Sequence, residues 1–161
     1  MKNFPAGLVL PTLLVFAATV RAETSDADVL RVLEKAEAVV AECSIEEYAK
    51  LWEDDATVFI SSGNRLMPVA EYLEIWGQVC SGGGGMTVKP VERQIRVYGP
   101  TAVVTGLTGY TFTGPDGESH SGTTRYTTVL RRAGAEWKLV HAHGSELGVH
   151  GGLEDHEHEQ E

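Results

Sequence analysis

Trp137-Lys138-Leu139-Val140-His141-Ala142-His143-Gly144-Ser145 is the stretch on which the reading of this fold turns. Strict alternation over nine residues predicts a β-strand, because successive side chains of a strand point to opposite faces. Read with an unbroken period of two, Trp137, Leu139, His141, His143 and Ser145 share one face, and Lys138, Val140, Ala142 and Gly144 share the other. The first face is apolar at one end and hydrogen-bonding at the other, which suits the wall of a small-molecule pocket.

The same period governs the whole second half of the chain. Thr87–Tyr98, Ala102–Thr113, Ser119–Arg132 and Glu136–Leu147 read as four long strands. Gly99-Pro100, Gly114-Pro115-Asp116-Gly117 and Ala133-Gly134-Ala135 are turn signals between them. Short connections between neighbouring strands predict an antiparallel meander.

The first half has helical spacing instead. Ser25-Asp26-Ala27-Asp28 reads as an N-cap, followed by Val29, Val32, Leu33, Ala36, Val39, Val40 and Cys43 along one stripe. Ser44-Ile45-Glu46-Glu47 opens a short second helix carrying Tyr48, Leu51 and Trp52, which Asp54-Asp55 ends before a strand at Thr57–Ile60. Pro68 suits the first turn of a third helix running to about Cys80, where Ser81 and Gly82–Gly85 form a helix-to-strand connection. Helices first and strands after predict an α+β domain with the helices on one sheet face.

Trp52-Glu53-Asp54-Asp55-Ala56-Thr57-Val58-Phe59, the strand Gly99–Gly106 and the pair Thr124–Val129 and Glu136–Ser145 resemble the SnoaL-like branch of the nuclear transport factor 2-like superfamily. The last pair also resembles the association domain of calcium/calmodulin-dependent protein kinase II. The resemblance covers roughly residues 26–147. It implies a cone-like α+β barrel, with three N-terminal helices packed on a strongly curved antiparallel sheet, a pocket at one end and a homodimer. It also implies that Arg125 points into that pocket and that the strand holding His141, His143 and Ser145 lines it. The superfamily hosts isomerases, cyclases, dehydratases and assembly domains, so the fold does not select a reaction.

Residues 1–22 read as a secretory signal peptide: Lys2, an apolar run over Leu8–Val20 too short to span a membrane, and small residues before a cut after Ala22. The expected location is secreted or periplasmic. The domain then covers 23–147, and Gly148–Glu161 is expected to be a disordered acidic tail containing His150, His156 and His158. Formal net charge is −10, and leaving out Lys2 and Arg21 makes the chain from Glu23 onward −12, with 11 basic against 23 acidic residues. That balance excludes nucleic acid and anionic membrane surfaces as partners. Cys43 and Cys80 form one disulfide in an oxidising compartment or remain two buried thiols.

The candidate ligand is a small organic molecule, with Arg125 as the anchor for an anionic group or else ion-paired internally with Asp55. His141, His143 and Asp55 are the candidate acid/base groups of a cofactor-free isomerase, cyclase or dehydratase. Ser145, Tyr48, Trp52, Trp76 and Tyr110 are candidate pocket walls. No dinucleotide fingerprint or phosphate loop occurs, and no H-E-x-x-H or paired-Cys spacing supplies a third ligand beside His141 and His143, so no cofactor and no metal is expected. An oligomerisation module with a vestigial pocket is the alternative.

Overall fold

A computed structural model describes residues 14–60 and 65–148, with side chains from residue 25 onward. The start of the expected leader and the tail from residue 149 lie outside the described residues, as do His150, His156 and His158. Helix α1 (Leu14–Ala41) runs through both the expected cut after Ala22 and the expected cap at Ser25. Ser25 is a buried helical residue and accepts a hydrogen bond from Arg132 Nη2 at 3.2 Å. Among the described residues no helix is long and apolar enough to cross a membrane.

Two residues beyond the end of helix α1, Cys43 has a φ of 54°, in the left-handed region. Ser44 then occupies the N-cap of α2 (Ile45–Ala49), yet its side chain makes no capping bond. Glu47, expected to complete that box, instead pairs with Lys50 and Lys35. Strand β1 (Trp52–Phe59) begins where the helix was expected to end. Tertiary pairing overrides the local signal, because Leu139 N donates to Leu51 O at 2.8 Å and Trp52 is registered with Leu139. A two-residue strand β2 (Met67–Pro68) follows, and Pro68 caps α3 (Val69–Ser81) one residue before its first turn.

Strands β3 (Gly85–Tyr98), β4 (Thr101–Thr113), β5 (Ser119–Ala133) and β6 (Glu136–Glu146) form the expected antiparallel meander. The sheet order is β2-β1-β6-β5-β4-β3. Its β1–β6 pair is parallel, so the sheet is mixed, and it stays open between β2 and β3. The α+β class holds. Val29, Leu33 and Val40 of α1 pack with Trp52, Val58, Ala102, Val104, Leu130, Trp137 and Leu139 in one core.

Two irregularities set which side chains face that core. In β3 the register with β4 shifts between Pro90 and Glu92, leaving Val91 exposed. In β6 the register with β5 shifts between Leu139 and His141, so Val140 is the extra residue. The alternation read through Trp137–Ser145 is therefore broken at Val140. Trp137 and Leu139 face the core, but beyond the bulge Ala142 and Gly144 face inward while His141 and Ser145 turn outward. That is a correction to the single-face reading of this strand.

Cys43 and Cys80 are joined by a disulfide, with Cα atoms 5.7 Å apart, tying the end of α1 to the end of α3. A loop of this length, closed over a sequence separation of 37, is worth about 4 kcal/mol in the chain-entropy account. Replacing Cys43→Ser and Cys80→Ser together is expected to lower the unfolding free energy by roughly 3–4 kcal/mol in urea denaturation. An unchanged midpoint would show that the bond adds no stability.

Candidate functional site

Residues from all three helices and from β1, β3, β4, β5 and β6 line one cavity of about 550 Å³, which requires the sheet to curve around it. That volume falls within the range of small-molecule sites. Its closed end is built on a row of registered residues, Arg93–Gly106–Tyr126–Gly144, running across β3, β4, β5 and β6. The bulge at Val91 turns Arg93 inward with Ile95 and Val97. With no side chain on Gly106 between them, Arg93 Nε reaches over to donate to Tyr126 Oη at 3.2 Å.

Arg93 also forms an ion pair and hydrogen bond with Glu37 of α1. Both groups are largely shielded, with side-chain exposures of 14% and 27%. Burial is the largest influence on Glu37 and raises its pKa above the ordinary 4.5 despite the opposing guanidinium. For Arg93, burial alone would lower the pKa, but Tyr126 and Glu37 outweigh it, so the guanidinium stays charged. The closed end is thus a compensated donor–acceptor pair.

The wall is a run of neighbouring rings, edge-to-face as far as Phe112 and tilted between Phe112 and His120. Tyr48 meets Trp52 at 5.8 Å, both meet Tyr72 at 6.3 and 6.2 Å, and Tyr72 meets Trp76 at 6.2 Å. Trp76 meets Phe112 at 6.2 Å, and Phe112 meets His120 at 5.5 Å. Desolvation raises the pKa of both Tyr48 and Tyr72, so these hydroxyls remain neutral. The buried Trp52 indole N–H lies near the Tyr48 hydroxyl but outside hydrogen-bond geometry. At the mouth, Tyr110 Oη donates to Glu146 Oε1 at 2.6 Å.

The structure divides the sequence-derived candidates into two groups. Tyr48, Trp52, Trp76 and Tyr110 lie in the cavity wall, and His143 reaches the rim, edge-to-face with Phe59 at 5.7 Å. Arg125 does not point into the cavity. It is exposed on the opposite face of β5, because the unbroken alternation that sends Tyr126, Thr128 and Leu130 inward sends it outward. Ser145 is registered with Arg125 and shares that outer face. His141 Nδ1 lies 3.0 Å from Thr57 Oγ1, outside the cavity lining. Asp55 has an 80% exposed side chain, 3.9 Å from Arg131 rather than from Arg125. Among the described residues no cluster of three or more His, Cys, Asp or Glu could hold a metal ion.

The profile of the SnoaL-like domain matches residues 29–149. This chain belongs to the SnoaL-like domain family. Among solved structures, the SnoaL-like domain is similar to an NTF2-like family protein from Streptomyces avermitilis, with a TM-score of 0.70 and 18% identity over 78% of this chain and 98% of that one. An NTF2-like protein from Cytophaga hutchinsonii gives 0.65 and 20% over 74% and 95%. The association domain of C. elegans calcium/calmodulin-dependent kinase II gives 0.64 and 18% over 78% and 98%. At these identities the likeness shows the fold alone. No curated protein sequence matches the chain.

Glu37, Arg93, Tyr126, Tyr72, Phe112, His120 and Glu146 were not among the sequence-derived candidates, yet all line the cavity. Glu37 carried a signal, because it occupies the position between Leu33 and Val40 on the apolar stripe of α1. Its titration has a definite sign. A raised folded-state pKa favours folding fully below the unfolded value, and that advantage is lost as pH rises through the folded value. Relative to a Glu37→Gln variant, the wild type is expected to be most stable near pH 4 and to lose ground by pH 7, compared by urea midpoints. A margin that grows with pH would mean that Arg93 outweighs burial.

Proposed function

We propose that this SnoaL-like domain binds a small, predominantly apolar organic molecule inside the cavity. The carrying observation is the cavity itself: an aromatic wall runs from the neutralised Glu37–Arg93–Tyr126 group to the open mouth. The anionic ligand expected from Arg125 loses its anchor, since Arg125 lies outside the lining and the Arg93 charge is already matched. A neutral carbonyl or hydroxyl oxygen fits the closed end better, accepting from Arg93 or Tyr126. Cofactor-free proton transfer, as in an isomerase, cyclase or dehydratase, would fall to Glu37 or His143, not to Asp55 or His141.

Association is the second reading. Among the described residues no helix packs on the outer sheet face that holds Arg125 and Ser145, and the similar kinase domain is an association domain. We therefore propose a homodimer compatible with ligand binding. The disulfide supports placing the domain in an oxidising compartment, secreted or periplasmic, as the leader-like start suggests.

N-phenyl-1-naphthylamine, a neutral fluorophore, is expected to bind saturably. Filling the cavity by Ala36→Trp should weaken it by roughly tenfold or more, about 1.4 kcal/mol, with far-ultraviolet circular dichroism unchanged. Equal affinity in the variant, or no binding at all, would contradict the proposal. Sedimentation equilibrium on both proteins reads association independently of the fluorophore.

A further inference from the structure

The mouth of the cavity is chemically unlike its closed end. Glu37 has a counter-charge in Arg93, whereas Glu146 has none: among the described residues no Lys or Arg pairs with it. The Glu146 carboxylate is oriented by a neutral donor, the Tyr110 hydroxyl, so its full charge remains at the rim. The room for that bond is made by Gly122. A Cβ there would sit 2.8 Å from both Tyr110 Oη and Glu146 Oε1. Tyr110 and Phe112 each stand against His120, at 5.6 and 5.5 Å, and Trp76 abuts Phe112. Rings beside an uncompensated carboxylate are the elements that recognise an organic cation, through ring quadrupoles and direct charge attraction.

From these contacts we infer that Tyr110, Phe112, His120, Trp76 and Glu146 form a subsite for an organic ammonium group on the ligand. This inference rests on the cavity being a binding site and names the ligand class: an apolar body with a cationic nitrogen toward the mouth. Tyr126 and Gly122 are four residues apart on β5, so the two polar ends lie about 13 Å apart along the strand. A ligand of that length places an oxygen at Arg93–Tyr126 and its nitrogen beside Glu146. The overall formal charge of −10 draws cations toward the domain.

Calorimetric titration with benzyltrimethylammonium and with neopentylbenzene, its uncharged isostere, tests the inference. The cation is expected to bind about tenfold more tightly. In Glu146→Gln that preference should fall to about twofold or less while the affinity for neopentylbenzene is unchanged. Tyr110→Phe keeps the ring and releases the carboxylate, and should lose part of the preference. Equal affinities in the wild type, or a preference that survives Glu146→Gln, would overturn the ammonium subsite and leave the cavity reading standing. If neither compound binds, both fall together.

Discussion

Side chains on a strand alternate with a period of two, and one extra residue exchanges the two faces. Everything that makes this domain hollow follows from that constraint acting at two places. The bulge at Val91 turns Arg93 toward α1, and the bulge at Val140 brings Ala142 and Gly144 inward and sends His141 and Ser145 out. Strands β4 and β5 carry no such shift between them, so their alternation runs unbroken from the packed end at Val104 and Leu130 to the mouth at Tyr110 and His120. The same sheet is a core at one end and a cavity wall at the other.

Glycine keeps that wall open and lets polar groups meet across it. Arg93 reaches Tyr126 over Gly106, and Tyr110 reaches Glu146 over Gly122. Each is a hydrogen bond between side chains on separate strands, spanning a residue that has none. The two pairs differ in charge. The inner one is neutralised by Glu37 and holds α1 to the sheet, while the outer one leaves a carboxylate uncompensated beside aromatic rings. A compensated interior limits the desolvation cost of the buried charges, and an uncompensated rim selects what enters.

The α+β class, the meander and the three helices were legible because each rests on a long periodic segment with strong turn signals, such as Gly114-Pro115-Asp116-Gly117. The start of β1 was not, since Trp52 pairs with Leu139 on a strand more than eighty residues away, which local capping signals do not register. Four aromatic wall residues were visible from spacing alone. The faces of His141, Ser145 and Arg93 were not, because Val140 and Val91 look like ordinary strand residues. Arg125 is a different case. Its outward position follows from plain alternation with Leu130, and only the resemblance to a kinase association domain had placed it inside.

Entry of a ligand on the inward face beyond the bulges can be read directly. The direct measurement is isotope-filtered nuclear Overhauser spectroscopy on labelled protein with a neutral aromatic compound bound. Contacts from the compound to Trp76, Phe112 and Ala142, with none to Arg125 or Ser145, are the predicted result. Contacts confined to the Arg125–Ser145 face would contradict it.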